Sequence, residues 1–445
     1  MPTEASQKHL TRRALLLGTG TVLAGSVLQP RPSLAVQQRQ RGPVDPARAP
    51  RNEAVLYGQD TLPAGIRSRV VSNNNGLRMH VLEAGFEASQ RPCLLLLHGF
   101  PELAYTWRHQ LLPLAAAGFH VLAPDLRGYG LTDRVPVTFG DSLVPYMMLN
   151  RIADVLGLVR AMGHEKVACV VGHDWGGPTA QRCALVRPDV FQSVVSVSTP
   201  FGGPPTLPLH NANGSEPGRR RDDIEKALAA LPRPRKHYWW YSASAAANED
   251  MWHPPQGLHD LLRAMYYFKS ADWKGNKPFA LKSWSAGELA KMPEYYVMDL
   301  HKGIARTMAE HMPSPQEIAG CQWLTDGDID VYASQYARTG FQGGLNSYRI
   351  LLDSEYSAGM GAFSGRTVNV PACFIGGAED WAVRQVPGQF EGMRNVCTKL
   401  AGVDLIAGAG HWVPEEQPEK FNELLLSFVR QCTRFACRHR PDHGG

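Results

Sequence analysis

The sequence predicts an α/β fold: one mostly parallel sheet interrupted by a helical insertion. Three observations predict it. Over residues 66–200, short apolar runs rich in β-branched residues alternate with helical spacings. Over 236–350 the chain is aromatic and helical in character, with no buried-strand run, and sheet signals return only at 372–376 and 403–406. Within the first pattern lies the stretch 166–177, KVACVVGHDWGG, around which the chain is organised. Its run 167–171 reads as a strand buried on both faces, and a helix begins at Gly177. Glycine flanks the turn between them, where a Cβ would collide with the crossing backbone.

Taken in order, the chain opens with Thr11-Arg12-Arg13, a mild apolar stretch 14–28, and small residues at Ser33-Leu34-Ala35. A twin arginine before such a stretch resembles a twin-arginine export signal over 1–35. About 15 apolar residues are short for a membrane-spanning helix. Export to the periplasm or beyond is therefore expected, with no stable membrane association once the signal is removed. Residues 36–65 read as an arm. Strands at 66–72 and 77–83 flank Asn73-Asn74-Asn75-Gly76, a hairpin signal. A buried strand at 93–97 ends in His98-Gly99-Phe100-Pro101-Glu102, a helix covers 107–117, and a strand at 120–123 leads into DLRGYG at 125–130. Ile152, Val155, Leu156 and Val159 give helical spacing over 149–162, and 194–198 is the next strand. Residues 201–350 comprise a Pro-, Gly- and Arg-rich connection, 201–235, and the helical insertion. Residues 351–435 complete the sheet and close with an amphipathic helix at 421–429, leaving a tail at 436–445. An insertion after 200 would cover the strand C-termini, where ligands of open α/β sheets bind.

Composition narrows the function classes. Apolar residues make up 44% of the 445 and charged residues 20%, which supports a large core. Of the formal net charge of +5, residues 1–35 carry +3. The rest is too weakly basic for nucleic-acid binding. Among eight cysteines there is no CxxC pair and hence no zinc signature. Cys93, Cys169 and Cys373 fall in or beside expected core strands. Cys432 and Cys437 form the one plausible bridge, and whether they pair stays open.

The turn at Gly172-His173-Asp174-Trp175-Gly176 has the frame of a nucleophile elbow with Asp where Ser usually stands. The following helix directs its N-terminus at Asp174, which favours an ionised carboxylate. A carboxylate nucleophile needs no base for its own attack, but it forms an ester that must be hydrolysed. Hydrolysis needs a base and an acid to orient it. Asp380 and His411 each follow a late strand, giving the order Asp nucleophile, acid, His that marks α/β-hydrolases. His411 would activate water and Asp380 would hold its tautomer, with Glu379 as the alternative acid. His98 and His173 read as structural, since neither shows the third partner a base requires.

HGFPE at 98–102, DLRGYG at 125–130, GHDWGG at 172–177, the late Asp380 and GAGHW at 408–412 together resemble the epoxide hydrolases of the α/β-hydrolase fold. The resemblance covers roughly 66–435. It implies a core sheet of about eight strands with a helical cap, and conversion of a small hydrophobic epoxide and water to a vicinal diol. It also implies two cap tyrosines that protonate the opening ring. HYWWY at 237–241 resembles the first cap motif, placing a donor at Tyr238, with Tyr241 as the alternative. VYASQY at 331–336, with TGFQGGLNSYR following at 339–349, resembles the second and places the other donor at Tyr332. Backbone N–H groups of Phe100 and Trp175 would form the oxyanion hole. Glu102 would position the hydrolytic water, and Trp239, Trp240 and Trp412 would line the pocket. No metal or organic cofactor is expected, because nucleophile, base and donors are all side chains.

Two other readings use the same residues. A haloalkane or haloacid dehalogenase shares the Asp nucleophile. However, Phe100 and Trp175 stand where a halide-binding Asn or a carboxylate-binding Arg would be wanted. A non-catalytic ligand binder would lack a triad residue, and none is missing. Physiological substrate, stereochemical preference, pocket size and oligomeric state are not legible.

Overall fold

Eight strands build the central sheet of the computed structural model, in the order β1-β2-β4-β3-β5-β6-β9-β10. The structure describes residues 61–438 apart from 73–74, 89, 133–136, 206–216, 354 and 356–357. The signal segment and nearly all of the arm lie outside the described residues, as does the Cys437 side chain of the expected Cys432–Cys437 pair. Cys432 is half-buried and carries no disulfide.

Strands β1 (Arg67–Ser72) and β2 (Arg78–Ala84) form an antiparallel hairpin, and β2 adds to β4 (His120–Pro124) antiparallel. From there the sheet is parallel through β3 (Cys93–Leu97), β5 (Val167–His173), β6 (Val194–Val197), β9 (Ala372–Gly377) and β10 (Leu400–Ile406). Alternation along β3 explains its unbroken Leu run. Leu95 and Leu97 face a core layer containing Ile152, Val155 and Ala184, while Leu94 and Leu96 face one containing Trp107, Leu111 and Phe421. The first layer belongs to α2 (Met148–Ala161) and α3 (Gly176–Val186). The second contains α1 (Arg108–Ala116) and the C-terminal helix Pro418–Arg438.

Between β6 and β9 the chain leaves the sheet and builds the cap. Its helices are α4 (Pro217–Ala229), α5 (Tyr238–Ser242), α6 (Ala246–Trp252), α7 (Leu258–Lys269), α8 (Ala286–Leu289), α9 (Ile304–Ala309), α10 (Pro315–Gly320), α11 (Asp326–Thr339) and α12 (Gln342–Leu352). An aromatic core that includes Tyr266, Tyr296, Tyr332, Tyr336 and Phe341 holds them together. Phe100, Trp381 and Trp412, from loops after β3, β9 and β10, belong to the same cluster, so the cap packs on the C-terminal edge of the sheet.

Three details differ from expectation. The 201–235 connection contains α4, a helix whose high Arg content masks its periodicity. The cap also holds a two-stranded antiparallel sheet, β7 (Arg235–His237) with β8 (Val297–Asp299). Three-residue strands sixty positions apart leave no period to detect. β10 starts three residues earlier than its apolar run suggests. It is an edge strand that leaves Val403 and Leu405 exposed.

Candidate active site

Asp174 sits at the turn from β5 to α3 with φ of +47°, a left-handed conformation strained for a residue with a Cβ. Small neighbours make the turn possible. A Cβ on Gly172 would strike the backbone of Gly176, and one on Gly176 the backbone of Leu97. The strained turn aims the carboxylate out of the sheet, ahead of the N-terminus of α3. Its Oδ1 accepts the Phe100 N–H at 2.9 Å. The Trp175 N–H, expected as the second donor, makes no hydrogen bond to this carboxylate.

The loops after β9 and β10 bring the other two residues to the same edge. His411 Nε2 lies 3.3 Å from Asp174 Oδ2, and its Nδ1 lies 3.1 and 3.2 Å from the Asp380 oxygens. Asp380 also accepts the Ala382 N–H at 2.8 Å, so its carboxylate is fixed before it meets the imidazole. Glu379 does not reach His411, and its Oε2 has no hydrogen-bond partner. Burial would raise the Asp174 carboxyl. The hydrogen bond and charge of His411, with the nearby Lys269 ammonium, hold it well below the usual carboxylate range.

The main chain around His411 is held on every side. Its N–H donates to the Lys269 carbonyl at 2.9 Å. Its carbonyl accepts from Ser198 Oγ at 3.0 Å and from His173 Nε2 at 2.7 Å. Glu416 accepts the flanking amides of Gly410 and Trp412, both at 2.9 Å, and that of Ala271 at 2.8 Å. His173 Nδ1 in turn lies 2.8 Å from both Glu102 oxygens. His173 therefore does have a carboxylate partner. It remains a support because its other nitrogen is turned to a backbone carbonyl. His98 bonds the Gly99 carbonyl and the Leu126 amide, as a structural residue would.

A cavity of about 400 Å³ opens beside Asp174. Core residues Trp175 and Pro178 and cap residues Tyr238, Trp239, Ile350 and Leu351 are among its walls. The Tyr238 hydroxyl donates to Gln385 Oε1 at 3.3 Å. Tyr241 instead donates to Asp250 at 2.9 Å, and of the two only Tyr238 lines the cavity. Tyr348, on α12, packs edge-on against both Tyr238 and Trp175. Burial, with the charge of Asp174 among the added causes, raises both Tyr238 and Tyr348 well above the normal phenol range, so both remain protonated.

Four expectations need correction. Tyr332 is fully buried away from the cavity, where its hydroxyl donates to Glu415 at 3.3 Å and its ring packs on Tyr105 and Tyr266. Its helix, α11, turns that face to the cap core. Gly340, at φ +64°, then breaks the chain so that α12 presents a different face. Ser347, Ile350 and Leu351 of α12 line the cavity, and Tyr348 belongs to their stripe. Glu102 does not face the cavity either. It is fully buried, bound to His173, to the Gly99 N–H at 2.6 Å and to Thr106 Oγ1 at 2.8 Å. Trp412 stacks on Tyr266 at 4.2 Å and donates its indole N–H to the Tyr266 carbonyl. Trp240 is buried in the cap core; of the three tryptophans only Trp239 lines the cavity. Among the described residues, no group of three or more His, Cys, Asp or Glu could hold a metal ion.

Known proteins similar to this chain are α/β-fold hydrolases. Residues 92–239 match the family model of the alpha/beta hydrolase fold. The chain is 31% identical to epoxide hydrolase B of Mycobacterium tuberculosis over 367 residues, 81% of this chain and 97% of the relative. It is 31% identical to epoxide hydrolase 3 of Siraitia grosvenorii over 369 residues, covering 81% and 98%. The solved structure of an epoxide hydrolase from an endophytic Streptomyces superposes with a TM-score of 0.66 at 29% identity, covering 84% of this chain and 97% of that one.

Proposed function

The chain belongs to the epoxide hydrolases of the α/β-hydrolase fold, and we propose that it opens its epoxide through a covalent ester on Asp174 with acid supplied by Tyr238 and Tyr348. The observation that carries this reading is an ionised Asp174 at the same cavity as the protonated phenol of Tyr238, with the protonated phenol of Tyr348 packed against both Tyr238 and Trp175. In the first step Asp174 Oδ2 attacks a ring carbon. Oδ1 is held by the Phe100 amide and becomes the ester carbonyl. The ring C–O bond breaks and its oxygen takes a proton from a tyrosine, so no free alkoxide is left in an apolar site.

In the second step His411 Nε2 removes a proton from water, and the hydroxide adds to the Asp174 carbonyl carbon. Asp380 stabilises the imidazolium. The developing oxyanion on Oδ1 meets the Phe100 N–H. Collapse breaks the bond to Oδ2 and the departing diol oxygen takes the proton from the His411 imidazolium, while the proton left on the Asp174 carboxyl returns to the tyrosinate and restores the carboxylate. His411 serves only this step, so His411→Gln should stall after the first. Exposed to styrene oxide, that variant should gain one substrate mass on the peptide holding Asp174. No adduct, under conditions where the epoxide binds, would rule out the covalent route.

The segment 1–35 is assigned to twin-arginine export on Arg12-Arg13 and the short apolar stretch after them. The mature enzyme then works in the periplasm or outside the cell.

A further inference from the structure

The DLRGYG stretch takes no part in the reaction above. Its Asp125 directly follows β4 and is fully buried. Asp125 Oδ1 accepts the Ala104 N–H and Oδ2 the Leu131 N–H, both at 2.9 Å. Oδ2 also lies 2.9 Å from Nδ1 of His80, a fully buried residue of β2. The His80 N–H donates to Thr132 Oγ1 at 3.0 Å, and that hydroxyl donates to the Asp125 carbonyl at 2.7 Å. The imidazole is thus fixed through its ring and through its main chain. A carboxylate at Nδ1 places the ring proton there and leaves Nε2 to accept.

What Nε2 meets is the Oγ of Ser68 on β1, at 2.7 Å. Val70 pairs with His80 across the hairpin, and Ser68 stands two residues along on the same face. A diagonal pair of that kind is within reach of an imidazole. The result is a Ser–His–Asp chain with separations of 2.7 and 2.9 Å. Those of the Asp174–His411–Asp380 set are longer, at 3.1 to 3.3 Å. Exposure falls along the chain: Ser68 is half-buried on an edge strand, whereas His80 and Asp125 are out of reach of water. That is the order an activated hydroxyl needs, with base and acid shielded and the oxygen accessible to a reactant. None of the three lines the cavity at Asp174.

We propose that Ser68, His80 and Asp125 form a second nucleophile–base–acid set, at which Ser68 takes the acyl group of a small activated ester. His80 Nε2 removes the Ser68 proton as Oγ bonds to the ester carbonyl carbon. The imidazolium, held by Asp125, returns that proton to the leaving oxygen as the ester C–O bond breaks. Acyl-Ser68 and the free alcohol or phenol are the products, and no further reactant is consumed. An aryl ester suits a hydroxyl on an edge strand, because its phenolate is weakly basic and departs readily. The site goes beyond epoxide opening and does not depend on it.

The test treats the whole enzyme with p-nitrophenyl acetate near stoichiometry, follows p-nitrophenol release and maps acetyl groups by peptide mass spectrometry. Wild type should carry one acetyl group on Ser68. Asp174→Ala should be labelled equally, since the epoxide nucleophile is not involved. His80→Gln should slow labelling on the order of a hundredfold, the scale of a lost general base. Ser68→Ala should abolish it while epoxide turnover stays within about twofold. Should water free Ser68 too fast to trap the ester, sustained p-nitrophenol release that Ser68→Ala abolishes is the equivalent result. Acetyl groups spread over lysines and tyrosines, with Ser68 unmarked and release unchanged in Ser68→Ala, would overturn the proposal. Labelling of Ser68 at the same rate in His80→Gln would make it an ordinary surface hydroxyl and overturn it too. Should His80→Gln fail to fold, the wild-type acetyl map and Ser68→Ala still decide the matter.

Discussion

The rings of Tyr238 and Tyr348 meet edge to face, with centroids 5.7 Å apart and planes inclined at 74°. One comes from the first turn of α5 and the other from the middle of α12, so the pair depends on how two cap helices pack. In the proposed reaction each phenol is one of two acids for the opening ring. Tyr238→Phe or Tyr348→Phe should slow single-turnover alkylation by roughly ten- to several-hundredfold, at ~1.4 kcal/mol per decade. The double variant should retain almost none. Tyr332→Phe is the contrast. It should leave alkylation within about threefold and cost about 1 kcal/mol of stability for the lost bond to Glu415. If Tyr332→Phe abolishes alkylation and Tyr348→Phe does not, the donor assignment here is wrong.

Those two tyrosines also mark where the sequence stops being informative. Asp174 was legible because a nucleophile elbow is a local object: two glycines, one strand and one helix within twelve residues. Asp380 and His411 followed from their order and from the strands before them. Tyr332 and Tyr348 lie sixteen residues apart in one aromatic run, and which of them packs against Tyr238 and Trp175 depends on the chain reversal at Gly340 and on what α11 packs against. The same holds for Trp412 and Glu102. Both sit in motifs beside the site, but one is taken by Tyr266 and the other by His173. Neither partner is near in sequence.

The contact between His173 and Glu102 makes stability depend on pH. Burial alone would draw the imidazole down, but the Glu102 carboxylate reverses this and raises it to about 9. For Glu102 burial pulls upward, and His173 outweighs it and lowers the carboxyl. A raised imidazole stabilises the fold fully below the unfolded value of ~6.5, and that stability is lost as pH rises through ~9. The lowered carboxyl has the opposite sense, and its contribution is lost only in acid. Wild type should therefore lose on the order of 3 kcal/mol between pH ~6.5 and ~9 that His173→Gln does not. Thermal unfolding of both proteins across that window is the measurement. Parallel curves would mean that no imidazolium is held there.

Export predicts a shortened mature protein. Residues 1–35 should be missing from the periplasmic or secreted form, and Arg12→Lys with Arg13→Lys should block translocation. N-terminal sequencing of the fractionated native enzyme tests it. Full-length protein confined to the cytoplasm would refute the assignment.

Glu416 holds the main chain on both sides of His411. Its carboxylate gathers the amides of Gly410, Trp412 and Ala271, so it clamps the peptide groups on both sides of His411 and ties them to the segment after α7. Glu416→Ala would leave three partly buried N–H groups without this acceptor, each costing up to about 1–3 kcal/mol to the extent that water does not replace it. Glu416→Gln keeps one acceptor oxygen but turns an NH₂ toward the remaining amide, so it should recover only part of that loss. The consequence for turnover is selective. Asp174 is held by its own turn and by Phe100, so alkylation should change little. His411 would lose the support that sets its Nε2 3.3 Å from Asp174, so hydrolysis should slow. The ester should therefore build up during steady-state turnover in Glu416→Gln, with Asp174 carrying one substrate mass. A merely structural role would lower alkylation and hydrolysis together, leaving no ester to detect, and that result would remove Glu416 from the positioning of His411.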